Sequence, residues 1–474
     1  MKILLTNVNR GEQRHLYFPL GLAYIATPLK KEGHDLLFLD VMAITRAEIP
    51  AALPARSFDA VCISALITDF KFVQWFTALV KERYPGVKVI VGGGLSTVSE
   101  ILLKKSDVDV TVSQEGEETI VELIRAIENG QSLAGVKGIF YKDETGQVVK
   151  TEKRTPAEDL DRIELPAYET FDAGRYLQTE KLGFSSPVKS LSIITTRGCP
   201  YSCVFCDKGV WGGNYRARSP ESIVDEVMYL KNRFGIDGIV FSDDLFVLDK
   251  KRVYGVCDLL IKRKAGIAWS CNGRVNLMDE PLLKRMKEAG CMTIAYGLES
   301  GSQRMLDTMK KKITVEQSKR AIDLTRKAGI DIQPYLVFNM LGEDEQSIRD
   351  TVDFCKEMGL PVGKFGIFTP LPNTELYEMA EKAVGMPPLE DQIEHWKDWN
   401  DSLTVNLSTL TDERLLQLKG WAEAEIRDHY IKHHKRLILR RLMIRYRQWG
   451  LGVTLGVLRS WFGKYVKYQL RRST

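Results

Sequence analysis

Short apolar runs alternate with helical patterns in two separate stretches of this chain, and that alternation constrains the fold more than any other feature. In the first ~135 residues the runs are "KILLTNV", "LLFLDV", "AVCISAL", "KVIVGGG" and "VDVTVSQ", with helical patterns between them, as at 20–32 and 72–84. This rhythm specifies an α/β domain with a parallel, doubly wound (Rossmann-like) sheet. Such sheets take ligands at the carboxyl ends of their strands. Here those ends read "SALITD", "VGGGLST" and "SQEGEE". Their glycines and small residues permit close backbone approach, and would equally serve a tight turn. No GxGxxG follows the first run, which disfavours a dinucleotide site. "GIFYKDETGQVVKTE" reads as a hairpin turning at "DETG". The first domain therefore spans 1–150, and a polar, proline-bearing connector follows over 151–189.

The second stretch covers 190–372, with runs "SLSIITTR", "GIVFSDD", "AWSCNGR", "CMTIAYGLES", "DIQPYLVFNM" and "VGKFGIFTP". Six βα units suggest a partial (β/α)6 barrel with its site at the C-terminal face. One of its helices begins at Ser219-Pro220-Glu221, an N-cap followed by proline in the first turn.

Immediately after the first of these runs comes "CPYSCVFC", which places Cys199, Cys203 and Cys206 within eight residues. For eight cysteines in 474 residues, a CxxxCxxC triple has roughly two chances in a thousand of arising at random. Three thiolates on one loop can hold three irons of a 4Fe–4S cluster and leave the fourth open. Zinc is the alternative and would need a fourth ligand. Cys257, Cys271, Cys291 and Cys355 could supply one, although Cys271 and Cys291 lie in apolar runs and read as core thiols. A disulfide framework does not suit a long chain that is 44% apolar.

CxxxCxxC after the first strand of a βα barrel, with Phe205 before the last cysteine, resembles the radical S-adenosylmethionine (SAM) superfamily. The resemblance implies that Cys199, Cys203 and Cys206 hold a 4Fe–4S cluster whose open iron is chelated by SAM. Cleavage of SAM would then give a 5′-deoxyadenosyl radical that abstracts hydrogen from an unactivated carbon. It further implies Asp243 and Asp244 in "FSDDLF" as acceptors of the SAM ammonium, Arg274 as a partner of its carboxylate, and Glu299 and Ser300 in "YGLESGS" as ribose and methionine contacts. "NMLGEDEQS" resembles the family's GxPGE segment, with Asn339 and Leu341 in place of the usual glycine and proline. Ahead of the barrel, "YFPLGLAYIATPLKKEGHDLLFLD", "ISALITDF", "VGGGLST" and "QEGEETI" resemble the cobalamin-binding subgroup. This makes Gly92, Gly93, Gly94, Thr97 and Gly116 cobalamin contacts. Asp40 is followed by "VMAIT", so the DxHxxG of histidine-ligated cobalamin proteins is absent, and His34 reads as a strand-edge residue.

The net charge of +5 hides an asymmetry. Residues 426–474 carry thirteen Lys/Arg against Asp428, a net +12, which leaves 5 − 12 = −7 on the body. An acidic body argues against a general nucleic-acid binder. Basic residues interleaved with Trp449, Trp461, Phe462, Tyr465 and Tyr468 suit the headgroup level of an anionic membrane, or a helix packed on the barrel. His429, His433 and His434 have helical spacing, a weak metal signal. With no leader pattern and no spanning-length apolar run, the expectation is a cytoplasmic radical SAM methyltransferase, peripheral at the membrane through its basic helical C-terminal region (373–474). It would act on a small-molecule or lipid-like, hydrophobic substrate, with flavodoxin or ferredoxin as reductant and no nucleic-acid partner. Radical cyclisation, rearrangement or carbon–carbon coupling is the alternative outcome, with RNA modification or a non-catalytic cluster protein behind it.

Overall fold

The computed structural model describes residues 1–8, 17–177, 188–396 and 403–435. Five parallel strands, β1 (Lys2–Thr6), β2 (Asp35–Leu39), β3 (Ala60–Ser64), β4 (Lys88–Gly92) and β5 (Val110–Val112), lie in the order 2-1-3-4-5. The sheet continues through antiparallel β6 (Ile139–Lys142) and β7 (Val148–Lys150). Val89, Ile90 and Val91 are all buried, because helices cover both faces of this sheet and both phases of the strand must be apolar. The β6–β7 turn forms where Asp143 accepts from the backbone N–H of Thr145 and Gln147, each at 2.9 Å.

The second sheet contains β8 (Ser190–Ile193), and a two-residue ribbon of β9 (Thr196–Arg197) with β10 (Arg216–Ala217) follows it. Then come β11 (Gly238–Phe241), β12 (Ala268–Gly273), β13 (Cys291–Glu299), β14 (Asp331–Phe338) and β15 (Lys364–Ile367). The six long-range strands β8, β11, β12, β13, β14 and β15 are parallel and each pairs with its successor, so they curve into an open half-barrel. The helix Pro220–Phe234 starts where Ser219 accepts from Ser222 N–H, and it stops at Gly235, whose φ of +65° suits glycine. Trp269 is fully buried against the helices, its indole donating to Ala289 O at 2.8 Å.

The segment that reads as a polar connector is part of the core. Tyr168, Phe171 and Tyr176 are buried, and Phe18 packs on all three at 5.2–6.1 Å between ring centroids. Tyr168 also donates to the wholly buried Glu226 of the barrel at 2.5 Å. Polar composition between 151 and 177 concealed three anchoring aromatics. At the other end, the helix Asp412–His433 lays Leu415, Leu418, Ala422 and Ile426 against the barrel helix Glu345–Glu357, with Lys356–Glu425 at 2.8 Å alongside. Ile426 is thus an interior residue of a packed helix, and the tail residues beyond 435, including Trp449, Trp461, Phe462, Tyr465 and Tyr468, lie outside the described residues. Among the described residues, no helix is long and apolar enough to cross a membrane.

Beyond β14, Asn339 adopts φ +74° and its amide donates to Phe368 O and Val405 O. Glu343 lies beneath this turn, fully buried, with one carboxylate oxygen accepting from Asn339 N–H and Met340 N–H. Its other oxygen has no partner among the described residues. Burial pushes the carboxyl up to about 7, against the pull of those two backbone N–H groups. A carboxyl raised on folding stabilises most below its unfolded value and loses that contribution as pH rises toward 7. Glu343→Gln keeps an acceptor without a charge. Its stability advantage over the parent should grow between pH 4.5 and 7, by at most about 3 kcal/mol, read as the shift in urea midpoint of each protein at the two pH values.

Candidate active site

The cysteine loop, 198–215, leaves and re-enters the barrel through the β9–β10 ribbon, which pinches its base. Gly198 holds φ +83° there, and a side chain would run into the backbone of Asn214. Val204, between the second and third cysteines, is buried and tied at both polar groups: its N–H donates to Met309 O at 3.0 Å and its carbonyl accepts from Leu376 N–H at 2.8 Å. Met305, Met309 and Leu376 enclose its side chain. The loop backbone is therefore fixed at its middle as well as its base.

Cys199 and Cys203 are half-buried and Cys206 is exposed. Burial of its sulfur is the largest cause of the rise of the Cys206 thiol to about 12, followed by the charges of Asp244, Cys199 and Cys203, with Lys208 opposing. Three thiols on one short, pinned loop fit a shared metal centre. No three His, Cys, Asp or Glu side chains among the described residues are yet grouped tightly enough to hold a metal. Metal binding would have to draw the thiols together and release their protons. His429, His433 and His434 form no such group either: His433 and His434 turn Nδ1 to the carbonyls of His429 and Tyr430 in their own helix.

Other predicted residues converge on this loop. Arg274, buried beyond β12, stacks its guanidinium 3.7 Å above the ring of Tyr201 and donates to Lys311 O, leaving Nε without a partner among the described residues. Glu299 ends β13 at φ +63° and accepts from Lys311 Nζ at 2.6 Å. A Cβ on Gly297 would meet the Glu299 carboxylate and Lys311 Nζ, so a side chain there would displace this pair. Lys311 Nζ stands 5.7 Å from the ring of Phe205, which packs edge-on to Phe368 at 5.4 Å. Phe205, Arg274 and Glu299 thus meet around Lys311 and Tyr201. Neither of those two residues carried a sequence signal beyond Tyr201's place inside the cysteine motif.

Two predicted residues are occupied elsewhere. The Asp243 carboxylate is buried and accepts from Thr195 N–H and Oγ1, both at 2.5 Å, and from Thr196 N–H at 2.9 Å. It fastens the end of β8 to that of β11 and is closed to an ammonium ligand. Asp244, in the bend that follows β11, is exposed and near enough to bear on Cys206. Ser300 is also buried, its Oγ 3.0 Å from Thr351 Oγ1 and accepting from Ser302 N–H. It organises the turn after β13.

Across the interface stand the strand ends of the first domain. Gly93 has φ +83°, and a Cβ there would come within 2.8 Å of Ala65 O, so the β3 and β4 ends can approach only through glycine. Gly92 and Gly94 flank it, and Leu66 is exposed beside Gly94. This bare backbone with an apolar neighbour suits the broad face of a corrin. His34 lies at the opposite end of β2, its Nδ1 3.1 Å from the N-terminal amine. Gly116 begins the helix Glu117–Glu128 and faces Ile25, where a Cβ would come to 3.3 Å, so it is a packing glycine. Its neighbours do the docking: Arg197 of the barrel pairs with Glu115 at 2.7 Å and Glu117 at 2.5 Å, and Arg216 also pairs with Glu115. Arg197 is held between the rings of Tyr24 and Trp211, at 5.3 and 4.4 Å. A cleft of about 840 Å³ opens between the domains, lined by Ser96, Thr97 and Ser113 on one side and by Cys203, Cys206 and Lys208 on the other.

Comparison with known proteins gives this arrangement its family. Residues 7–124 match the B12 binding domain and residues 193–355 the Radical SAM superfamily. An uncharacterized methyltransferase of Pyrococcus horikoshii is 32% identical over 367 residues, covering 76% of this chain and 78% of that protein. An anaerobic magnesium-protoporphyrin IX monomethyl ester cyclase of Rubrivivax gelatinosus is 29% identical over 371 residues, 76% of this chain and 66% of its own. Among solved structures, the methyltransferase TsrM of Kitasatospora setae, with cobalamin and a [4Fe-4S] cluster bound, superposes with a TM-score of 0.67 at 22% identity, covering 82% of this chain and 79% of that one. The enzyme OxsB, with aqua-cobalamin and SAM bound, superposes at 0.70 and 17% identity, covering 98% of this chain and 75% of its own. The chain belongs to the radical SAM superfamily, as one of its enzymes with a B12-binding domain ahead of the barrel.

Proposed function

We propose that this enzyme transfers a methyl group to an unactivated carbon of a hydrophobic or lipid-like substrate bound between its two domains. One observation carries the reading: a single cleft is lined both by the B12-binding domain and by two of the three motif cysteines. When bound, the 4Fe–4S cluster with SAM supplies a carbon-centred radical, and cobalamin supplies a transferable methyl group. Cys199, Cys203 and Cys206 would hold the cluster. Asp244 is the open acid for the SAM ammonium and Arg274, with its unpaired Nε, the cation for the carboxylate. Glu299 would contact the SAM ribose from the rim, where Lys311 fixes its carboxylate. Gly92, Gly93 and Gly94 would present backbone to the corrin, and the cleft walls would keep water from the reacting carbon. A flavodoxin or ferredoxin would supply electrons, and the setting would be cytoplasmic.

The cyclase among the relatives supports a second outcome, in which the radical closes a ring and no methyl moves. Anaerobic reconstitution with iron, sulfide, cobalamin, SAM and a reductant separates the two. Methyl transfer should give both 5′-deoxyadenosine and S-adenosylhomocysteine, while cyclisation gives the first alone. Cys206→Ala should abolish both products and the cluster absorption, and zinc instead of iron in the anaerobically purified protein would overturn the assignment.

Among the described residues no histidine stands at the strand ends facing the cleft, Leu66 is the exposed side chain beside Gly94, and the sequence lacks DxHxxG after β2. Cob(II)alamin in this protein should accordingly show an electron paramagnetic resonance spectrum without nitrogen superhyperfine splitting. Such splitting would place a histidine or the cofactor's own base on cobalt.

The lipid-like substrate rests on the tail. Residues 426–435 hold Arg427, Lys432, Lys435 and Asp428, a net +2, so 436–474 carry the remaining 12 − 2 = +10. Near an anionic bilayer each such residue contributes about 1 kcal/mol. Removing 436–474 leaves the packed helix intact and should abolish sedimentation with phosphatidylserine vesicles at low salt while sparing SAM cleavage. Full-length protein that ignores those vesicles would overturn the membrane role.

A further inference from the structure

Thr97 and Gly209 meet across the domain interface beside the cleft. Thr97 lies on the turn after β4, and Gly209 follows the last cysteine by three residues. A Cβ on Gly209 would stand 2.5 Å from Thr97 Cγ2 and 3.0 Å from Asp207 Oδ1. Neither neighbour can easily give way. Thr97 is β-branched and its hydroxyl donates to Gly94 O at 2.8 Å, which holds its χ1 and leaves the methyl pointing at the cluster loop. Asp207 is held in turn, accepting from Gly209 N–H at 2.7 Å. From the far wall, Asn373 in the loop beyond β15 donates to Thr97 O at 3.4 Å.

Braces on either side prevent the interface from simply opening. Arg197 and Arg216 clamp Glu115 and Glu117 on one flank, and Lys105 pairs with Glu394 at 3.1 Å on the other. A bulkier contact at Gly209 would therefore displace the cluster loop itself. Displacement of about 1 Å between reacting groups can cost about 10²-fold in rate.

We propose that the Gly209–Thr97 contact is a spacer that sets the separation of the cluster loop from the B12-binding domain, and hence of cluster from cobalt. Thr97 is then a positioning residue whose methyl group matters, with its hydroxyl spent on its own turn. This rests on the functional reading above, since it presumes both groups are bound.

The test is the relaxation enhancement of the cob(II)alamin resonance by the reduced cluster, which depends steeply on their separation and needs no substrate. Iron and cobalamin contents are measured first. A parental protein lacking either would overturn the functional reading and this proposal with it. With both present, Gly209→Ala should retain iron, cobalamin and 5′-deoxyadenosine formation but lose part of the enhancement. Gly209→Ala/Thr97→Ser removes the opposing methyl and should restore the enhancement to that of Thr97→Ser alone. Thr97→Leu enlarges the same contact from the other domain, and should lower the enhancement even if Gly209→Ala fails to assemble its cluster. Unchanged enhancement in both enlarged variants, or a double variant no better than Gly209→Ala, would overturn the spacer.

Discussion

Arg197 stands two residues before the first motif cysteine, and its buried pairing with Glu115 and Glu117 is the constraint on which the arrangement of the site depends. Its side chain is only 3% exposed and that of Glu115 8%, so both charges have left water. Removing one partner of such a pair costs about 3–5 kcal/mol, because the other stays buried and uncompensated. The pair therefore specifies one docking of the barrel on the B12-binding domain more strongly than it stabilises either. Arg216 on the adjoining strand takes the second oxygen of Glu115, so both strands at the base of the cysteine loop grip the same carboxylate. Through this arrangement the "QEGEE" loop aligns the cluster loop with the neighbouring strand ends.

Much of this was legible in the sequence because it is local. Apolar runs separated by helical patterns located the strands of both sheets, though some runs overshoot the strand end by three or four residues, and the triplet marked its own loop. What stayed hidden depends on partners distant in sequence or on the phase of a strand. Asp243 and Asp244 are adjacent acids at a strand end, and sequence gave them one role. In the structure the turn beyond β11 buries Asp243 in three hydrogen bonds with Thr195 and Thr196 and leaves Asp244 exposed. Glu299 was legible as a strand-end acid, but its partner Lys311 arrives from a connection twelve residues on. Glu115 reads as an ordinary surface acid until Arg197, 82 positions later, is seen to bury it. Tyr168, Phe171 and Tyr176 were lost in a polar stretch, because composition averages over the residues that pack.

The boundary of the basic tail shifted for a related reason. Charge counting begins the tail at Ile426, yet Ile426 is buried on the barrel and the helix continues to His433. A run of cations and a packed helix face can overlap, since 3.6-residue periodicity lets Leu415, Leu418, Ala422 and Ile426 face inward while Lys432 faces out. The functional boundary of a charged segment is therefore set by its last buried residue.

The cysteine loop shows a division between what folding fixes and what metal binding completes. Its backbone is pinned by the β9–β10 ribbon and by both polar groups of Val204, so the entropy of ordering the loop is met by folding. The sulfurs are left ungrouped, with Cys206 raised to about 12 by burial and by neighbouring negative charge. Iron reverses the balance, because three thiolates that repel one another when bare are stabilised once a cation lies between them. Side-chain rotations can then gather the sulfurs on a backbone that need not move, and the distance to the opposite domain can be set before any metal arrives.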